Sequence, residues 1–217
     1  MKFVNIFSFF SPKILGKFDS EINGKIKVVE SRGNKIIYVR GAEQSGGTIP
    51  GMWQKALNKL PKTKDKRLNA LLLGLGGGDV IRFIRKIYPE IKITAVDIDP
   101  VMIKIAHDFY KIKNSETLEI VKNDALFYLL INKKKFDLII VDLFIGFKNP
   151  DKFRTMNFLL KMKKSLSLQG IIVYNSHYSV ENYREFHNFL KVCASVFKRH
   201  EIIVSYPFSR ILQLSRH

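Results

Sequence analysis

The sequence predicts an α/β fold built on a doubly wound sheet of about seven strands, and three observations predict it. From Leu68 onward, short runs of Leu, Ile and Val alternate with segments whose apolar residues recur at helical spacing. Those runs are nearly unbroken, as expected of parallel strands covered on both faces. Glycines and carboxylates cluster where the runs end, the edge at which open α/β sheets bind ligands.

The elements follow in order. "KIKVVESRGNKIIYVRG" holds two β-rich runs, Ile26–Glu30 and Lys35–Arg40, joined by a glycine-containing turn. They predict a small N-terminal β-hairpin element. The preceding "MKFVNIFSFFSPKIL" reads as a packed or surface-lying segment, because it lacks the small-residue cleavage site of a secretory leader. "QSGGTIPGMWQKALNKL" gives a glycine-rich loop and a helix starting near Pro50 or Gly51. Then come a strand "ALLLGL", a helix "DVIRFIRKIY", a strand "KITAVDI" and a helix "PVMIKIAHDFY" with proline in its first turn. A strand "LEIVKND", a short helix "ALFYLLIN" and an apolar strand "FDLIIVDLF" follow. After these come a helix "TMNFLLKMKKSL", a strand "GIIVYNS" and a helix "NYREFHNFLKVCASVF". "HEIIVSY" and "RILQLSR", across the turn "PFS", predict an antiparallel hairpin that closes the sheet. With no internal repeat or long linker, the expected division is residues 1–48 for the β-element and 49–217 for the α/β domain.

Composition sets limits on function. The chain has 217 residues, 46% apolar and 12% aromatic, which excludes a disordered polymer and suits one well-buried core. A single cysteine, Cys193, excludes an internal disulfide, and "FLKVCASVF" places it on an apolar helix face as a structural thiol. A reducing, cytoplasmic setting is expected, and no apolar run is long enough for a membrane span. The net charge of +18 attracts anionic partners and repels polycationic ones. Most of it is lysine scattered through "NKLPKTKDKR", "INKKKF" and "LKMKKSL", so a solvated basic surface is preferred over a dedicated nucleic-acid face. No Cys/His cluster suggests a metal.

The strand ends carry the chemistry. Gly74, Gly76, Gly77 and Gly78 follow the first strand, and without Cβ atoms they permit a sharp turn and close approach of a ligand to a helix N-terminus. Asp97 closes the second strand about 20 residues on, the spacing at which an acid receives ribose hydroxyls. Asp99, just before Pro100, is instead expected to cap the next helix. A dinucleotide pattern would require glycine at position 79, which is Asp79. The spacing Gly74, Gly76, Gly78 points instead to a nucleoside without phosphates, such as S-adenosylmethionine. Asp124, with Ala125 and Leu126 after it, suits an adenine amine and ring, or a helix cap. Asp142 ends a wholly apolar strand, where a carboxylate is costly unless it has a job. His177 lies just past the fifth strand and is expected to be exposed. Met52 and Trp53 either cover the site or anchor the β-element.

These blocks, in this order, resemble the spermidine synthase family, a branch of the class I S-adenosylmethionine-dependent methyltransferases with a Rossmann-like sheet. The preceding "IKVVESRGNKIIYVRGAEQS" is similar to that family's hairpin, with Gln44 at its ligand-facing glutamine. The resemblance implies that Gly74 to Gly78 cradle the methionine-derived part of the cofactor, that Asp97 and Ile98 hold the ribose edge, and that Asp124 and Ala125 hold the adenine. Asp142 becomes the acceptor-side carboxylate. The cofactor implied is S-adenosylmethionine or its decarboxylated form, and the partner a small-molecule acceptor. Departures from the family pattern bear on the reaction. Its aminopropyl-transferring members carry "GGGDGG", whereas "GLGGGD" here brings Asp79 to the amine-holding position only if a one-residue gap is allowed. Ile145 replaces a second acceptor carboxylate, and "QSGGTIPGMW" replaces an acidic, tyrosine-bearing gate. The expected activity is transfer from the sulfonium, most simply of methyl; aminopropyl transfer and a non-catalytic nucleoside-binding module are the alternatives. The hairpin also leaves edges that a second copy could pair, as a homodimer.

Overall fold

The computed structural model describes residues 12–61 and 68–217. The first eleven residues, most of the greasy N-terminal segment, and the lysine-rich 62–67 lie outside the described residues. Two sheets organise the rest. The larger has seven strands in the order β10-β11-β9-β8-β5-β6-β7. These are β5 (Asn69–Leu73), β6 (Lys92–Asp97), β7 (Leu118–Lys122), β8 (Phe136–Val141), β9 (Leu166–His177), β10 (Arg199–Tyr206) and β11 (Ser209–Ser215). β7, β6, β5, β8 and β9 pair in parallel, while β11 pairs antiparallel with both β9 and β10. The closing hairpin thus sits where the sequence puts it, with β11 inserted between β9 and β10. β9 begins at Leu166, four residues earlier than the apolar run predicts.

Six helices cover the sheet: α1 (Ile49–Leu57), α2 (Asp79–Ile87), α3 (Pro100–Tyr110), α4 (Ala125–Ile131), α5 (Met156–Ser165) and α6 (Tyr183–Val196). Buried β5 supplies side chains to both sides. Leu71 and Leu73 join the core formed with α4, α5 and α6, and Ala70 and Leu72 the core formed with α1 and α2. Burying each leucine stabilises the fold by about 2 kcal/mol. Cys193 lies wholly inside the first of these cores, and burial pushes its thiol up to about 12, as befits a structural residue.

The N-terminal element is larger than a hairpin. It is a four-stranded antiparallel sheet of β1 (Lys13–Ser20), β2 (Gly24–Ser31), β3 (Asn34–Val39) and β4 (Ala42–Ser45). Arg32 and Gly33 both have positive φ, and so do Arg40 and Gly41. Each pair forms the two-residue turn whose twist matches a hairpin. This sheet packs on α3, where Ile26, Val28, Ile37 and Val39 meet Met102 and Ile105. Polar bonds reinforce the junction. Asp99 caps α3 by accepting the Val101 N–H at 2.8 Å, and also accepts bonds from Ser20 Oγ and Asn23 Nδ2, each at 2.6 Å.

Candidate active site

Two cavities open at the carboxyl ends of the parallel strands and share Gln44, Gly76, Asp142 and Phe144 in their walls. The first, of about 330 Å³, lies over β5, β6 and β7 and is lined by Gly74, Asp97, Ile98, Asp124 and Ala125. The second, of about 350 Å³, is walled by Tyr38, Phe144, Phe147 and Phe208, with Glu43 and Asn175.

Gly74 turns the chain off β5 at φ +95°, and an added Cβ would stand 2.2 Å from the Asp142 carbonyl oxygen. Only glycine permits that approach. Asp97 then reaches back across the turn. Its carboxylate accepts the Leu75 N–H at 2.9 Å and the Asp99 N–H at 2.9 Å. Burial pushes its pKa up to about 6 against the opposing effect of those bonds. Asp124 serves as the N-cap of α4, accepting the Leu126 and Phe127 N–H groups at 2.9 and 3.0 Å, and Lys152 Nζ bonds its other oxygen at 2.6 Å. Burial alone would raise this carboxyl; Lys152 and the cap bonds outweigh it and hold it below the usual range. Asp124 therefore takes the cap role and lines the cavity as well.

Asp142 stands at the meeting of the two cavities. Trp53 Nε1 donates to one of its oxygens at 3.0 Å and Asn175 Nδ2 to the other at 2.9 Å. Burial pushes its pKa up to about 6, partly countered by those two bonds. Trp53 is fully buried, so the residue read as either cover or anchor is a core side chain whose one polar atom orients Asp142. Asn175, which sequence reasoning did not single out, ends the stretch "GIIVYN"; its position at the end of β9, beside that of β8, was the available signal. Its Oδ1 is buried and has no hydrogen-bond partner among the described residues.

The glycine loop divides. Gly74 and Gly76 line the first cavity, whereas Gly77 packs against Ser45 and Tyr110, and Gly78 against Ile112. Asp79 lies on the Gly77–Gly78 side of the loop. Ser45 Oγ, the Gly46 N–H and Arg82 all bond its carboxylate, which ties the start of α2 to β4. It is brought to the N-terminal sheet and lines neither cavity. Gln44 lies in the wall of both and donates to the Gly146 carbonyl at 2.7 Å. His177, expected on an exposed loop, is the last residue of β9 and is buried, and burial lowers its pKa. Its backbone N–H donates to Asn149 Oδ1 at 2.6 Å, which fixes it below the surface. Among the described residues, no group of three or more His, Cys, Asp or Glu side chains comes together to hold a metal, and no helix is long and apolar enough to cross a membrane.

Comparison with known proteins gives this geometry a lineage. A family model described as the spermine/spermidine synthase domain matches residues 52–208. The polyamine aminopropyltransferase of Vibrio vulnificus is 34% identical over 109 residues, 49% of this chain and 36% of that protein. The eEF1A lysine and N-terminal methyltransferase homolog of Drosophila pseudoobscura is 29% identical over 121 residues, 52% of this chain and 18% of that protein. The chain thus spans less than half the length of either relative. In three dimensions it is similar to a probable spermidine synthase from Corynebacterium glutamicum, with a TM-score of 0.78 and 19% identity over 93% of this chain and 80% of that one. Human methyltransferase-like protein 13 in complex with SAH shares the fold at a TM-score of 0.61 and 23% identity, over 78% and 80% of the two chains. A model spanning 157 residues, from the first helix to the closing hairpin, decides the matter: the chain belongs to the spermine/spermidine synthase family.

Proposed function

We propose that the protein transfers the methyl group of S-adenosylmethionine to a nitrogen acceptor, with the donor in the cavity over β5 to β7 and the acceptor in the aromatic-walled one. The observation that carries this reading is Asp79. Aminopropyl transfer uses a donor whose carboxylate has been lost, leaving an amine that an acid of the glycine loop holds. Here the only acid of that loop is bonded to Ser45, Gly46 and Arg82 instead. No acid of the glycine loop then lines the first cavity to hold such an amine.

Each residue then has a task. Asp97, its carboxylate oriented by two backbone N–H groups, takes the ribose hydroxyls, and Ile98 and Ala125 flank the adenine. Asp142 and the unpartnered Asn175 Oδ1 are two acceptors for the N–H groups of an incoming amine. As the new N–C bond forms, the S–C bond breaks, its electron pair returns to sulfur, and the proton of the acceptor passes to Asp142. The sulfonium carbon is already activated, so alignment supplies most of the catalysis.

Calorimetric titration with S-adenosylmethionine and with its decarboxylated form, repeated on Asp97→Ala, tests the donor. Tighter binding of the carboxylated ligand, lost in the variant, is the expected result; the reverse preference overturns methyl transfer. Aminopropyl transfer is the second reading. It is favoured by Glu43 and Asp142, two carboxylates in the wall of one cavity, and by the polyamine aminopropyltransferases among the relatives.

A further inference from the structure

Among the described residues, nothing covers an apolar face presented by helices α4 and α5. On α4, Phe127, Leu130 and Ile131 fall at spacings of three and four residues, so they share one side of the helix; they are 52, 58 and 55% exposed. On α5, Met156 and Leu160 are four residues apart and each 50% exposed. The two helices are held side by side at their C-terminal ends, where Asn132 Nδ2 donates to Ser165 Oγ at 3.4 Å and Lys135 Nζ to the Lys164 carbonyl at 2.5 Å. Five large apolar side chains thus project from one surface of a protein whose remaining leucines and isoleucines are mostly buried.

The charge around that face is mostly positive, with Lys134 paired to Glu119 at its edge and Lys163 turned to the Val196 carbonyl. Segments 125–135 and 156–165 hold six lysines between them and no carboxylate. Lys133 and Lys164 are exposed beside the apolar centre. An amphipathic surface with lysines around protruding Phe, Leu and Ile side chains is the arrangement that inserts into the headgroup region of an anionic bilayer. A second copy fits poorly, because a symmetric contact through this face would bring its exposed lysines, Lys133 and Lys164 among them, against those of the other copy. Nucleic acid would leave the apolar centre facing phosphates, with no gain from burying it.

We propose that the α4–α5 face docks the protein on an anionic lipid surface, the apolar tips entering the acyl boundary and the lysines meeting headgroup phosphates. The inference stands apart from the transfer reaction, since none of these side chains belongs to either cavity.

Co-sedimentation with vesicles of phosphatidylcholine alone, and of phosphatidylcholine with phosphatidylglycerol, tests it. Binding is expected only to the anionic vesicles and should weaken as salt is added. The double substitution Leu130→Ser/Leu160→Ser should reduce partitioning at least tenfold, and Lys133→Glu/Lys164→Glu by more, since each lysine near such a surface is worth about fivefold. Thermal unfolding of both variants checks that they are folded. Lys17→Glu/Lys27→Glu, a cross-strand pair on the N-terminal sheet, should bind nearly as well as the unaltered protein. Equal losses in that control would mean that net charge alone drives binding, and would overturn the proposal. So would unchanged binding of Leu130→Ser/Leu160→Ser. Self-association, or binding of single-stranded RNA, that depends on the same residues while vesicles are ignored would assign the face to a different occupant.

Discussion

Asp142 carries opposing demands in a single side chain. Its pKa is raised from the ordinary 3.8 to about 6 by burial, so its neutral form suits the folded state and its charged form suits proton uptake. A raised carboxyl contributes stability below the ordinary pKa and loses that contribution as pH climbs through about 6. Activity should run the other way, rising through about pH 6 and levelling above it. Asp142→Asn is expected to lower turnover at least a hundredfold and to remove that limb, with donor affinity within a few fold of the unaltered protein; a pH–rate profile with parallel calorimetry measures both. Trp53→Phe deletes one of the two bonds that hold the pKa of Asp142 down, so the limb should move to higher pH. A profile that stayed in place would assign Trp53 to packing alone. In the sequence the carboxylate was legible and its supports were not. A carboxylate closing an apolar run stands out along the chain, whereas Trp53 and Asn175 reach it only once α1 and β9 are folded beside β8.

Among the elements, the junction between the two sheets depends on one buried carboxylate. Asp99 is fully buried and accepts bonds from Val101, Ser20 and Asn23. Asp99→Ala removes a helix cap and strands two buried donors, so it should cost about 3 kcal/mol in denaturant unfolding. The cap itself was legible from Asp99 and Pro100; its second role was not, because Ser20 and Asn23 lie almost 80 residues away. The parallel strands were readable from their apolar runs, and α3 matches its predicted span, Pro100–Tyr110, at both ends. β1 and β4 were missed for physical reasons. Half of β1 is exposed and only Ser20 is buried, and the strand shifts register between Ile14 and Gly16, which breaks any alternation. β4 is four residues long, with Glu43 and Gln44 at its centre. A signal for β4 did exist, since the Arg-Gly pair of the predicted turn recurs at Arg40–Gly41. Asp79 shows the opposite limit. No spacing argument tells whether an acid after a glycine loop turns toward the ligand or back to Ser45, because the choice depends on where β4 packs.

For the whole molecule, charge sets the terms of encounter. A chain with a net charge of +18 slows the approach of a cationic acceptor from bulk water, and salt relieves that repulsion within about 10 Å at 0.1 M. For a cationic acceptor, kcat/KM should therefore rise with ionic strength, while kcat changes little; for an anionic one it should fall. Steady-state kinetics across a salt series separates the two and narrows the acceptor class before any acceptor structure is known. The layered α/β architecture and its two cores follow from patterning spread over the whole chain, which explains why they were legible from end to end. The aromatic-walled cavity was not, because its walls come from β3, the loop after β8 and the turn before β11, brought together by the docking of one sheet on another.

The two cavities share one wall, made by Gln44, Gly76, Asp142 and Phe144. On the proposed assignment, donor and acceptor lie on the two sides of that wall. Any substitution that reshapes it should therefore be felt by both ligands at once, and neither affinity can be tuned there alone.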